Sequence, residues 1–347
     1  MTYDEPILCG IDLGASSLKI TSAHGETITP ARVGLLQSPQ PAAKSPKDQP
    51  FSAFSGYTTQ YFEVAIGKST FCVGEDAYEC AFPLENVSTD RFGDYPTMRA
   101  ILYAALFAHL RECKIVQDKN KKFNLLCAIG LPLSAWGDNL KTIIHWLEGT
   151  HTVKIRGAHE PYEQITFHIH RPLAFPQAVG ALYDWAIQDD AIRQEFYDST
   201  IGVINIGLST TEIMISDRGK PIARASISLE FGVKHYIQMY GLPGYAFGEI
   251  DRQIRTKAFE HRPEVRLAWE ARLTGLIEPH WAQLKHRITH YIITGGGAYL
   301  LLQDNRSDLN PQMRKFLDTA DKFVCVNDVQ STARGLFKLL KISQEGG

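Results

Sequence analysis

The stretch VINIGLSTTEIMI, residues 203–215, reads as a β-strand, a tight glycine turn and a second strand, with Asn205 where the first strand meets the turn. Near the N-terminus the chain says almost the same thing, GIDLGASSLKITS at residues 10–22, and there the corresponding residue is Asp12. A shift of 193 positions superposes Ile11, Asp12, Leu13 and Gly14 on Ile204, Asn205, Ile206 and Gly207, Ser16 and Ser17 on Ser209 and Thr210, and Ile20 on Ile213. After one inserted residue the next turns coincide as well, Gly25 with Gly219. Each copy then continues through further apolar runs, LKITSAHGE and TITPARVG in the first, TEIMISDRG and PIARASISL in the second. Apolar clusters with this turn punctuation predict three-stranded antiparallel meanders. Two such meanders far apart predict two lobes of like topology.

The chemistry follows from the turns. Glycine lets backbone N–H groups approach an anion closely, and Ser or Thr hydroxyls add donors. Two facing turns of this kind grip a polyphosphate. An acidic residue at the strand end then holds a hydrated Mg2+, which favours one or two carboxylates with water and phosphate oxygens. Lys19, on the second strand of the first copy, is placed to reach a phosphate as a point charge.

At 347 residues, with 44% hydrophobic and 21% charged residues, the chain has the composition of a soluble globular protein of about two domains. No apolar run approaches the roughly 20 residues that span a bilayer, and the start, MTYDEPILCG, lacks the basic and apolar segments of a secretory signal. A cytoplasmic protein without a membrane partner is expected. The six cysteines are scattered without a C-x-x-C pair and are read as small buried hydrophobes. A net charge of -2 gives no global attraction to a phosphate backbone, and the basic run at 119–122 reads as a solvated loop, so direct nucleic-acid binding is not expected.

Between the two meanders, residues 36–56 are rich in Pro, Ser, Ala and Gln and read as a mobile loop. Residues 96–113 place Met98, Ile101, Leu102, Ala105, Leu106 and Leu110 on one helical face. A buried strand is expected within 123–136, ended by Gly130 and Pro132, then a helix over 138–147, and Pro176 opens another helix with Gln177 beside it. Residues 249–288 read as helical and precede the strand YIIT and the segment GGGAYLLL at 295–302. One glycine usually suffices for a strand-to-helix turn, so Gly295, Gly296 and Gly297 together point to close approach of a ligand. The histidine pairs His168/His170 and His286/His290 have metal-compatible spacing but no third ligand in view, and read as surface or packing residues.

Taken in order, GIDLGASSLKI, VINIGLSTTEI and YIITGGGAYLL resemble the two phosphate loops and the adenosine segment of the actin, sugar-kinase and heat-shock-chaperone superfamily. FCVGEDA, LLCAIGLPLSAW, FPQAVGALYDW and NDVQSTARGLFKLL are similar to segments of the ParM/StbA actin-like plasmid-partition proteins and their archaeal relatives. The resemblance implies an α/β, actin-like fold: two lobes built as duplicated ribonuclease-H-like domains, with a nucleotide cleft between them. Lobe I would comprise 1–190 plus 325–347 and lobe II 191–324.

Residue by residue, it assigns Asp12, Gly14, Ala15, Ser16, Ser17 and Lys19 to the first phosphate loop, Asp12 also serving the metal. Gly207, Leu208, Ser209 and Thr210 fall in the second loop, and Gly295, Gly296 and Gly297 on the adenine and phosphate face. Gln177 falls where the family orients the attacking water, the kind of role that phosphoryl transfer asks of a protein side chain. With Asp12 and Asn205 it makes the expected catalytic set. The implied cofactors are ATP or GTP, ADP and Mg2+. The implied partners are further copies of the chain, assembled head to tail into a filament, and a DNA-binding adaptor protein.

Two departures stand out. The family has Asp where this chain has Asn205, which loses a charge near the metal and predicts slow hydrolysis with binding retained. It usually has glycine where this chain has Leu208, which is expected to narrow the phosphate approach. The alternatives to a filament-forming ATPase are a nucleotide-sensing scaffold that does not hydrolyse and a small-molecule kinase on the same fold.

Overall fold

The computed structural model describes residues 6–36, 61–75, 77, 82–84, 95–115, 122–136, 138–158, 160–242, 247–302, 308–318 and 322–345. Most of the loop expected at 36–56 and of the basic run at 119–122 lies outside them. Ten strands form the first sheet: β1 (Ile7–Leu13), β2 (Ser17–Ser22), β3 (Gly25–Pro30), β4 (Val33–Leu36), β5 (Tyr61–Ile66), β6 (Ser69–Gly74), β7 (Phe82–Leu84), β8 (Lys122–Leu131), β9 (Gly149–Gly157) and β10 (Glu163–Pro176). Their spatial order is β3-β2-β1-β8-β10-β9-β5-β6-β4-β7. The expected first meander is there, β1 antiparallel to β2 and β2 to β3, while β8 joins β1 in parallel and β10 joins β8 in parallel.

Helices α1 (Tyr95–Glu112) and α2 (Asp138–Leu147) belong with this sheet, and α3 (Gln177–Ala186) follows β10 toward the second one. All six apolar residues of the face predicted for α1 are buried, and so are Ala100, Tyr103, Ala104, Phe107 and Ala108. The helix is thus sunk in the first core on almost every side. The small hairpin β11 (Ile187–Gln188) and β12 (Ala191–Ile192) and the single turn α4 (Glu195–Asp198) lead to the second sheet.

That sheet repeats the pattern with β13 (Thr200–Ile206), β14 (Thr211–Asp217), β15 (Lys220–Pro221), β16 (Ile227–Leu229), β17 (His290–Thr294) and β18 (Phe323–Val326), in the order β15-β14-β13-β17-β18. Here too a meander precedes two parallel strands, β17 beside β13 and β18 beside β17. Every residue of β13 is buried, as expected for the centre of a parallel arrangement covered on both faces. The third strand of this meander is broken where the sequence predicts one run. Pro221 has no N–H for the ladder, and the chain turns through Ala223–Ala225 before β16 returns to β14.

The second core is completed by α5 (Val233–Gln238), α6 (Phe247–Arg255), α7 (Pro263–Trp281) and α8 (Pro311–Leu317). The helical region expected over 249–288 is therefore two helices, because Pro263 starts α7 where an N–H is not needed. The last helix, α9 (Ser331–Glu345), returns to pack on β1 and α3. Cys72 departs from the reading of the cysteines, being disulfide-bonded, whereas Cys9, Cys113, Cys127 and Cys325 are free. No helix among the described residues is long and apolar enough to cross a membrane.

Helix α3 lies between the two halves. One side packs Ala178, Ala181, Leu182 and Trp185 against Ile201, Val203, Met214 and Ile292 of the second sheet. The other meets α9 where Gly180 faces Gly335, so closely that a Cβ on Gly335 would lie 1.8 Å from the Gly180 carbonyl oxygen and 2.5 Å from the Asp184 nitrogen. Both are backbone atoms and cannot swing aside. Gly335→Ala should therefore force the helices apart and lower stability by about 2 kcal/mol, or about 3 °C in Tm, measured by thermal unfolding of the purified chain. An unchanged Tm would mean that α9 docks more loosely than this crossing implies.

Candidate functional site

The first turn hangs from Asp12, the penultimate residue of β1, which pairs in register with Lys19 of β2. Asp12 is 5% exposed, and each of its carboxylate oxygens is engaged. Oδ2 is 3.0 Å from Lys19 Nζ, and Oδ1 accepts a hydrogen bond of 2.6 Å from Gln177 Nε2. Lys19, expected to reach a phosphate, is thus ion-paired with the residue expected to serve the metal. Gln177 is the first residue of α3, and its side chain reaches Asp12 because β10 ends beside β8, which itself flanks β1.

Across the cleft, the second turn closes through a hydrogen bond of 2.8 Å from Gly207 N–H to the Thr210 carbonyl. The carbonyls of Gly207 and Leu208 accept from the N–H groups of Val233 and Lys234 at the start of α5, at 3.0 and 2.8 Å. This anchors the turn on the second core. Leu208 is only 3% exposed and packs in that core, while also lining the cleft between the turns.

One cleft is lined by Asp12, Gly14, Ala15, Ser16, Ser17, Lys19, Gln177, Asn205, Gly207, Leu208, Ser209, Thr210, Gly295 and Gly296. Gly297 alone of the residues expected at the site does not line it. A Cβ there would lie 2.1 Å from Ile206 Cγ2, so this glycine serves the packing of β13. Gly295 answers to both demands. Its φ of +86° is a left-handed conformation, and a Cβ would lie 2.3 Å from the Ile206 carbonyl oxygen and 2.7 Å from Asn205 Oδ1.

The cleft also contains four residues that the sequence reading did not single out: Asp251, Arg255, Val329 and Thr332. Asp251 is 1% exposed, yet neither carboxylate oxygen has a hydrogen-bond partner among the described residues. Arg255 Nε lies 3.2 Å from Oδ2 as an ion-pair contact. Burying a carboxylate without hydrogen bonds is costly, and an orphan of this kind in a cleft is available to ligand hydroxyls. Arg32, after β3, crosses the divide as well, its guanidinium 3.0 Å from Glu249 Oε2 on α6.

A further buried carboxylate joins the lobes. Glu212, which faces Asn205 in the register of β13 and β14, accepts hydrogen bonds from Leu133 N–H and, at 2.9 Å, from Ala178 N–H. Complete burial pushes its carboxyl up to about 7, against the lowering effect of those N–H groups and with further help from the charge of Asp12. The folded protein therefore holds this proton more tightly than the unfolded chain. Its contribution to stability is full below the usual carboxyl range and is lost as pH rises through about 7. Denaturation of the nucleotide-free protein should show stability declining over that interval, and Glu212→Gln should flatten the decline. An equally steep decline in the variant would assign it to other groups.

The donor set suits a nucleotide and magnesium. One carboxylate, one amide and three hydroxyl residues (Asp12, Asn205, Ser16, Ser209 and Thr210) offer hard oxygen ligands without a complete protein cage. No group of three or more His, Cys, Asp or Glu placed to hold a metal occurs among the described residues, so the nucleotide and water would supply the remaining ligands.

Comparison with known proteins places this geometry. Residues 10–180 match the family described as actin like proteins, N-terminal domain. No curated protein sequence matches the chain. Among solved structures, a ParM in a 15-stranded filament from Clostridium botulinum is 15% identical over 97% of this chain and 99% of its own, with a TM-score of 0.67. Ta0583, an archaeal actin homolog in complex with ADP, is 18% identical over 96% and 99%, with a TM-score of 0.64. Bacillus thuringiensis ParM with AMPPNP is 14% identical over 98% and 99%, with a TM-score of 0.62. Identities this low speak for the shared fold. With the N-terminal family match, the duplicated sheets and the two turns facing one cleft, the chain has an actin-like fold.

Proposed function

We propose that this protein binds ATP or GTP with Mg2+ between its lobes, hydrolyses it slowly, and assembles head to tail into filaments that act in DNA segregation or as a cytoskeleton. The observation that carries the reading is the junction of Asp12 and Gln177, 2.6 Å apart at the floor of a cleft flanked by both glycine turns. Magnesium, when bound, would spread the charge that develops on the transferred phosphoryl group. The turns at 14–17 and 207–210 would cradle the phosphates, and Asp251 would accept from the ribose hydroxyls. Gln177, held by Asp12 through its amide nitrogen, would keep its carbonyl oxygen for a proton of the attacking water. Relatives of the same fold have been seen with ADP and with AMPPNP, and one as a filament, which supports the reading. A link to DNA would run through an adaptor, given the net charge of -2.

The test combines light scattering, phosphate release and electron microscopy on one sample given ATP or GTP with Mg2+. Scattering that rises with nucleotide, shows filaments and decays as phosphate appears is expected. Monomers at every nucleotide concentration would overturn the polymer. The amide at Asn205 favours one second reading, a nucleotide-bound scaffold, and filaments that persist without phosphate release would select it.

A further inference from the structure

The start of α3 lacks a cap of its own. Pro176 occupies the capping position and makes no side-chain hydrogen bond there, although a helix leaves its first N–H groups without internal partners. The acceptor comes from the other lobe. Glu212 takes the Ala178 N–H with Oε2 and the Leu133 N–H with Oε1. Leu133 opens the short turn that follows β8, and β8 and β10 run side by side to their ends, Leu131 opposite Pro176. A single carboxylate thus gathers the ends of two neighbouring strands of lobe I, and it sits two residues beyond Thr210 of the second turn.

Its position in the duplication sharpens the point. Lys19 faces Asp12 in the first meander as Glu212 faces Asn205 in the second. Lys19 pairs within its own lobe, whereas Glu212 spends its charge across the divide. Between Pro176 and Ala178 stands Gln177, whose amide meets Asp12 at 2.6 Å. Through the Ala178 N–H bond, Glu212 links β14 to the residue that follows Gln177 in the first turn of α3.

We propose that Glu212 is a positioning residue for Gln177: from lobe II it fixes the first turn of α3 in lobe I, so that the second phosphate turn and the water-orienting amide move as one. The inference rests on the nucleotide-hydrolysing reading above. Glutamine at 212 keeps the volume but accepts only one of the two bonds and sets an NH2 group against the other N–H. Aspartate keeps the charge and, one methylene shorter, reaches one N–H.

The experiment compares the native chain with Glu212→Gln and Glu212→Asp at pH 8. It measures amide hydrogen exchange without nucleotide, nucleotide affinity, and single-turnover phosphate release. In Glu212→Gln, exchange at Leu133 and Ala178 should quicken about tenfold. Phosphate release should fall about tenfold to fiftyfold with affinity held within about threefold, the signature of a misplaced catalytic group. Glu212→Asp should recover protection at one of the two amides and part of the rate, and it carries the test by the same readings if the glutamine variant does not fold. Unchanged exchange at both amides, or affinity and rate lost in equal proportion, would overturn the proposal. A native chain that releases no phosphate would overturn the hydrolysis reading and the positioning role with it, while the exchange comparison would still decide whether Glu212 ties the lobes.

Discussion

Gln177→Ala is expected to lower phosphate release at saturating ATP by about 100-fold or more while nucleotide affinity stays within about threefold. The asymmetry follows from what the side chain touches. Its Nε2 is committed to Asp12, and the residue is 8% exposed, so the amide has one settled orientation in the cleft. An ordered amide costs little further entropy when it must hold a water in line with the phosphoryl group. The proposed phosphate cradle is built from other residues and should survive truncation. Alanine leaves Asp12 with Lys19 as its remaining side-chain partner, a pairing that the 3.0 Å contact can sustain. Paired measurements of single-turnover phosphate release and equilibrium nucleotide binding check this. A variant that turns over like the native chain would remove Gln177 from the mechanism and leave the water to another group.

The repeated strand, turn and strand were legible in the sequence because their causes are local. Alternation and glycine punctuation are set within a few residues, and both meanders form where the pattern puts them. So is the junction of β10 and α3, where Pro176 can end a strand and precede a helix but cannot extend either ladder. Gly297 stands outside the cleft lining for a non-local reason: its closeness is to Ile206, a residue about 90 positions away that the parallel pairing of β13 and β17 brings near. Asp251 gave no signal because one acidic residue in the amphipathic run FGEIDRQIR looks like part of a solvated face, and burial by the Gly295–Gly296 turn is a tertiary event. Glu212 did leave a trace. A lone carboxylate in the otherwise uncharged run STTEIMI is expensive unless it has partners, and alignment with Lys19 marks it, beside Asn205, as a second place where the two copies diverge in charge. What the pattern could not reveal is that its partners are backbone N–H groups in the other lobe.

Asn205→Asp is expected to raise hydrolysis by about tenfold to several hundredfold, because a carboxylate a few Å from the magnesium contributes on the order of 1 to 4 kcal/mol at an effective dielectric between about 20 and 80. The surroundings of this residue explain why the gain has an opposing term. Asn205 faces Glu212 across the strand pair, and Asp12 already raises the carboxyl of Glu212. A third carboxylate in the same buried space repels both until a cation arrives. The nucleotide-free variant should therefore unfold at lower temperature than the native chain at pH 8, and Mg2+ with nucleotide should stabilise it by more than it stabilises the native protein. On the proposed reading, the amide in this chain would relieve that repulsion at the expense of electrostatic help to the metal, favouring a long-lived nucleotide state over rapid turnover. Phosphate release and thermal unfolding of the two proteins, each with and without Mg2+ and ATP, separate the terms. A faster variant with reduced stability in the free state supports the account, whereas an unchanged rate would show that residue 205 does not address the metal and that slow turnover, if found, has its origin elsewhere in the cleft.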